Sequence, residues 1–208
     1  MKLINFNNKA LFTPQYAQKV KDIYFSSFPE TERRPWQSIL ALSAEGVVDA
    51  YVVEDENDAV GLVTVWHFPL GMERCESAPA SASGAGCQVS SSRTRAEWIY
   101  IEHLALSDRC RGRGLGSLVV RELINLYRLP VVLEAEPDGS TPEAGARLRF
   151  YRRLGFEIHD GYRYVQPPYS EGLPALELWL LTHSLPAGLS LDEVSRCLHT
   201  GVYGVDEP

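Results

Sequence analysis

Residues 98–135 carry the pattern that most restricts how this chain can fold. Trp98-Ile99-Tyr100-Ile101-Glu102-His103-Leu104-Ala105-Leu106 reads as a largely apolar strand. The loop Arg109-Cys110-Arg111-Gly112-Arg113-Gly114 follows it directly. Leu115, Leu118, Val119, Leu123, Leu126 and Tyr127 then recur at helical spacing, until Pro130 stops the helix. Val131-Val132-Leu133-Glu134-Ala135 is a short apolar run of the kind buried inside a sheet. Strand, glycine loop, helix and strand make one β-α-β step, and the chain is committed to an α/β architecture.

The flanking segments extend that reading. Thr13-Pro14 is an N-cap and first-turn pair for a helix carrying Tyr16, Val20, Ile23, Tyr24 and Phe28. Phe28-Pro29 ends it, a charged stretch follows over 30–34, and Pro35-Trp36 restarts a short helix. Two β-rich runs, 47–53 and 59–68, are joined by the polar turn 54–58 and predict a hairpin. The Ser, Ala and Gly of 71–96 offer little to bury, which predicts a flexible excursion between strands. A helix over 146–154 ended by Gly155, strands near 157–165 and 176–181, and a tail helix with a Ser190/Glu193 capping box complete the order. A length of 208 residues suits one substantial core.

Composition narrows the function class. No run approaches the roughly 20 apolar residues of a membrane span, and no secretory signal is read at the N-terminus, so a cytoplasmic location without membrane attachment is expected. A net charge of −7 disfavours a nucleic-acid partner. Cys75, Cys87, Cys110 and Cys197 form no CxxC pair and no metal-site spacing, so reduced thiols and no bound metal are expected.

The glycine loop sits where backbone N–H groups and a helix dipole cradle a diphosphate. It is not a Walker loop, since no Gly-Lys-Ser/Thr follows, and it lacks the dinucleotide glycine spacing. Arg111-x-x-Gly114-x-Gly116 resembles the R-x-x-G-x-G signature of the GNAT superfamily of acetyl-CoA-dependent acyltransferases. Phe150-Tyr151-Arg152-Arg153-Leu154-Gly155-Phe156 resembles that family's fourth-helix tyrosine and the strand entry after it, and Leu133-Glu134-Ala135-Glu136 resembles its fifth strand. The likeness covers about residues 12–182, and the arrangement of 28–35, 100–104 and 164–169 resembles a bacterial subgroup. One departure is Ala144, where many members carry an asparagine for the pantetheine arm.

The resemblance implies a single GNAT-type domain over 1–183, with 71–96 inserted between strands 3 and 4 and 184–208 as a helical extension. Its centre would be a mixed, mostly antiparallel twisted sheet, splayed at strands 4 and 5 and flanked by helices. It implies acetyl transfer from acetyl-CoA to a primary amine of a small molecule or peptide, by direct attack in a ternary complex, in a monomer or homodimer. The alternative is a non-catalytic acyl-CoA-binding regulatory module. The coenzyme would take the backbone of Leu104, Ala105 and Leu106 and the loop Arg111, Gly112, Arg113, Gly114, Leu115, Gly116 and Ser117.

Acetyl transfer needs a proton acceptor for the amine, a donor for the departing thiolate and a stabilised oxyanion. Glu102, a carboxylate in an apolar strand, is the preferred base, with burial expected to raise its pKa. Glu134 is the second candidate, though it shares a strand face with Glu136 and either could fix an arginine. Tyr151 is the expected acid, with Phe150 filling the core beside it, and a backbone N–H near Leu104 would hold the oxyanion. His103 should point away from Glu102 as a core histidine. Arg33, Arg34, His67, Gln166 and Tyr169, with Trp66, are acceptor-pocket candidates.

Overall fold

The computed structural model of the chain describes residues 1–69 and 97–205. The excursion expected over 71–96, with Cys75 and Cys87, lies outside the described residues. Contacts divide the chain into two compact units, Met1–Trp66 with Ile101–Arg128 and His67–Tyr100 with Leu129–Pro208.

The first unit contains β1 (Lys2–Asn5), α1 (Pro14–Ser27), α2 (Trp36–Ala44), β2 (Val48–Asp55), β3 (Asp58–Phe68, up to Trp66), the later part of β4 (Trp98–Leu106) and α3 (Leu115–Tyr127). β1, β2, β3 and β4 are hydrogen-bonded neighbours in that order. β2 pairs antiparallel with both β1 and β3, Val53 standing opposite Leu3 and Tyr51 opposite Val63. The hairpin is tighter than the sequence suggests, because the strands run on to Asp55 and Asp58 and leave only Glu56 and Asn57 at the turn. Both have positive φ, 52° and 62°, the two-residue geometry whose twist matches that of the strands. β1 carries no alternation strong enough to announce it in the sequence.

Alternation on β2 sorts the packing. Ala50 and Val52 join a buried cluster with Val20 and Tyr24 of α1 and with Trp36 and Ile39 of α2. Asp49 and Tyr51, on the opposite side, meet Tyr127 of α3 through hydroxyl hydrogen bonds of 2.8 Å. Helices therefore cover both faces, which is why β3 is apolar along nearly its whole length. Thr13 caps α1 by accepting the Tyr16 N–H, and α1 ends where Phe28 turns extended before Pro29. β3 and β4 approach so closely at Gly61 that a Cβ there would lie 2.2 Å from the Ala105 carbonyl oxygen. Only glycine fits.

The second unit holds the start of β4, β5 (Val131–Ala135), α4 (Ala144–Arg153), β6 (Glu157–Ile158), β7 (Tyr164–Gln166), β8 (Leu176–His183) and α5 (Leu191–Gly201). β5 is parallel to β4, the Ile99 N–H donating to the Pro130 carbonyl, while β8 pairs antiparallel with β5, β6 and β7. The mixed, mostly antiparallel sheet expected from the sequence is present. Phe68 stacks on Trp98 at 4.3 Å and lies close against Gly201 of α5. The Ser190/Glu193 capping box forms as expected, and Cys110 and Cys197 are buried and form no disulfide. No helix among the described residues is long and apolar enough to cross a membrane.

Candidate active site

In the first unit, a short 3-10 turn over Asp108–Cys110 buries Cys110 and delivers the chain to the glycine loop. Gly112 and Gly114 adopt φ of 74° and 77°, left-handed values that strain a residue with a Cβ. Nothing lies within 4 Å of a Cβ built on either, so the space above the loop is open. α3 starts at Leu115 without a side-chain cap, leaving the dipole and amides of its first turn for an anion. A coenzyme diphosphate fits these features.

The three arginines of the loop divide their work. Arg109 reaches Asp58 at 2.6 Å and Arg113 reaches Asp55 at 3.0 Å, so both tie the loop to the β2–β3 turn. Arg111 pairs with Asp108 at 2.8 Å in the open. Asp58 also binds Lys19 at 2.5 Å, and hydrogen bonds from Lys19 and Arg109 hold its carboxyl at about 2.

Glu102 departs from expectation. Its side chain is 1% exposed, and Arg34 Nε donates to Oε1 at 2.7 Å while Trp66 Nε1 donates to Oε2 at 2.9 Å. The Thr64 hydroxyl lies 3.4 Å from Oε2. Burial alone pushes this carboxyl up, but the Arg34 guanidinium, then His103 and Trp66, outweigh it and hold the carboxyl well below the usual carboxylate range. The expected rise in pKa is thus overturned, because an arginine distant in sequence closes on the group.

Alternation also fails at this point. His103 Nδ1 is 3.5 Å from Glu102 Oε2 although the two are adjacent on the strand, and the His103 backbone N–H donates to the Thr64 hydroxyl. His103 is nonetheless a core histidine, its Nε2 lying 3.2 Å from the Tyr24 hydroxyl and 3.1 Å from the Glu32 carbonyl. Arg33 and Arg34 part company: Arg34 stacks over Trp66 on its way to Glu102, and Arg33 lies over the Phe25 ring at 4.6 Å. His67 is half-buried on β3, and Leu104 and Leu106 flank the buried Ala105 on β4.

In the second unit, Glu134 sits among phenols. Tyr164 donates to Oε1 in a very short hydrogen bond and Tyr203 donates to Oε2 at 3.1 Å. Tyr203 also meets the hydroxyls of Tyr100 at 3.2 Å and Tyr169 at 3.5 Å. Glu136, on the same strand face, is the one that fixes an arginine, Arg147 at 2.5 Å. Sequence reasoning named Tyr169 and missed Tyr100, Tyr164 and Tyr203. Tyr164 had a strand position as a clue; Tyr203, just beyond a helix stop, had none.

Tyr151, not Phe150, is the buried member of its pair, packed edge-on to Phe150 at 5.0 Å and Phe156 at 5.4 Å. Burial pushes its phenol up to about 12, with Arg147 opposing. Gln166 is buried, and its Nε2 has no hydrogen-bond partner. Among the described residues no group of three His, Cys, Asp or Glu could hold a metal ion.

Residues 17–156 match the model of the acetyltransferase (GNAT) family, and the chain belongs to that family, whose co-substrate is acetyl-CoA. A GNAT-family protein of Bacteroides thetaiotaomicron, named as an acetyltransferase, superposes with a TM-score of 0.73 at 27% identity, covering 92% of this chain and 94% of that one. Arabidopsis thaliana Naa50, solved with the bisubstrate analogue CoA-Ac-MVNAL, shares the fold at a TM-score of 0.53 and 14% identity, over 83% of this chain and 95% of its own. Bacillus subtilis (strain 168) YjbC, also named as an acetyltransferase, is 36% identical over 69 residues, which span 32% of this chain and 35% of YjbC.

Proposed function

We propose that the protein transfers the acetyl group of acetyl-CoA to a primary amine of a small molecule or peptide by direct attack in a ternary complex. Glu134 takes the proton of the attacking amine. As the amine nitrogen bonds to the acetyl carbon, the carbon–sulfur bond breaks and Tyr151 donates to the thiolate that leaves. The diphosphate of the coenzyme is assigned to the loop amides from Gly112 to Ser117 with Arg111, and its pantetheine arm to the backbone of Leu104–Leu106. Arg109 and Arg113 hold the loop in place from the hairpin side.

The observation that carries the choice of base is the contrast between two strand carboxylates. Glu102 is enclosed and paired with a guanidinium, whereas Glu134 is half-buried and accepts hydrogen bonds from the phenols of Tyr164 and Tyr203. Glu102 is better cast as the anchor of Arg34 than as a proton acceptor. A neutral Tyr151, its phenol raised by burial, is a donor throughout the physiological range.

The test is a thiol-release assay across amino acids, peptide N-termini, polyamines and aminoglycosides, run on the wild type and on Glu134→Gln. The variant should lose about a hundred-fold or more in turnover with KM for acetyl-CoA unchanged. Full turnover in Glu134→Gln would remove Glu134 from the chemistry. Coenzyme binding without acetylation of any amine would leave a binding module in place of an enzyme.

A further inference from the structure

Tyr203, just past α5, lies outside the stretch matched by the family model, yet it occupies the centre of the phenol cluster on Glu134. Its place is fixed by backbone: the Val202 and Tyr203 N–H groups both donate to the Leu198 carbonyl, and the Val205 N–H to the His199 carbonyl. The last turn of α5 thus turns the Tyr203 ring back into the unit, with Val202 buried beside it.

Proton ownership sets the direction of the two phenol bonds to Glu134. An ionised carboxylate only accepts, and each phenol owns one proton. Tyr164 gives its proton to Oε1 and Tyr203 gives its own to Oε2. The Tyr203 hydroxyl also lies 3.2 Å from that of Tyr100 and 3.5 Å from that of Tyr169. The carboxylate is thereby held at both oxygens, each by a phenol, which restricts its rotation.

We infer that Tyr203 is a positioning residue for acetyl transfer, acting through Glu134 by fixing the orientation of its carboxylate. The inference rests on the reading of Glu134 as the base. A carboxylate that loses the donor on one oxygen samples rotations in which no lone pair meets the amine proton, and general-base catalysis falls with the population of the productive geometry. Loss of the Tyr203 hydroxyl therefore lowers the chemical step and leaves coenzyme binding alone. In a protein without the Glu134 carboxylate it has nothing to position.

The experiment is a double-mutant cycle read by thiol release, using Tyr203→Phe, Glu134→Gln and their combination in the full chain. Tyr203→Phe keeps the ring and its packing, and should lower kcat about ten-fold, the weight of one hydrogen bond to a charged group, with KM for acetyl-CoA unchanged. In the Glu134→Gln background the same change should have no further effect. A Tyr203→Phe loss that multiplies onto that of Glu134→Gln, or no loss at all, overturns the positioning role while the base stands. An unaffected Glu134→Gln overturns the base itself. Thermal melting of each variant guards the comparison: a drop in Tyr203→Phe matched to its kcat loss in both backgrounds marks a structural role and also overturns the inference.

Discussion

Replacing Arg34 by methionine removes the cation from a carboxylate whose side chain is only 1% exposed. Methionine retains most of the apolar stem, so the change isolates the charge. Breaking a buried pair by deleting one partner costs about 3–5 kcal/mol, because the remaining charge stays buried. The stacking of the guanidinium on Trp66, 5.2 Å from the ring centroid, adds roughly 0.5–2 kcal/mol. Against a typical net stability of about 5–15 kcal/mol this is a large fraction. At roughly 2–4 °C per kcal/mol for a chain of this length, the pair alone predicts a fall in Tm of about 6–20 °C. The pH trend should change as well. In the wild type the folded carboxyl lies below its unfolded value of 4.5, so its stabilisation is full above pH 4.5 and is lost as pH falls toward the folded value. Without Arg34 the largest single influence left is burial, and the folded value rises; the case tested is a rise past 4.5. Stability is then greatest below pH 4.5 and declines as pH rises through the raised value. Urea midpoints at pH 5 and pH 8 read the difference: Arg34→Met should be more stable at pH 5 than at pH 8, a decline this group does not cause in the wild type. Arg34→Met with Glu102→Leu should recover most of the loss. A loss under about 1 kcal/mol at pH 8, or a pH trend parallel to the wild type, would show that Arg34 does not hold the carboxylate ionised.

Asp58→Asn releases Arg109 and Lys19 from the hairpin turn. Since these pairs are largely exposed, urea denaturation should register less than about 1 kcal/mol, while KM for acetyl-CoA rises as the loop loses its tether; an unchanged KM would show that the tether does not matter. Tyr151→Phe should lower kcat by about ten- to a hundred-fold with the fold intact by circular dichroism. Because the wild-type phenol stays protonated until about pH 12, its deprotonation should cause no fall in activity between pH 7 and pH 10, and a basic limb there that disappears in Tyr151→Phe would contradict the burial argument. Gln166→Met removes a buried amide nitrogen that has no partner, and should raise unfolding free energy by about 1 kcal/mol; a simultaneous rise in KM for the amine alone would mark Gln166 as an acceptor contact.

The features legible in the sequence are those whose causes lie within a few residues of one another. The Thr13 cap, the Ser190/Glu193 box and the left-handed glycines of the loop each follow from local hydrogen bonding or backbone sterics. The crossover from β4 to β5 follows from periodicity and one proline. What each carboxylate can do is a different kind of property. Glu102 and Glu134 look alike in sequence, each an acid in an apolar strand. The first meets an arginine 68 residues away and the second a tyrosine 69 residues away, and no local pattern encodes either encounter. The break in alternation at Glu102 and His103 hid the first further, since regular pleating would have sent the two side chains apart. The physical consequence of the partner is decisive. A guanidinium orients a buried carboxylate by compensating its charge, which stabilises the anion and spends its capacity to take a proton. A phenol orients a carboxylate without compensating it. The acid preferred in the sequence, Glu102, is thus a strut for the Glu30–Arg34 region, while the second candidate, Glu134, is oriented by phenols, one of them supplied by the residues just past α5.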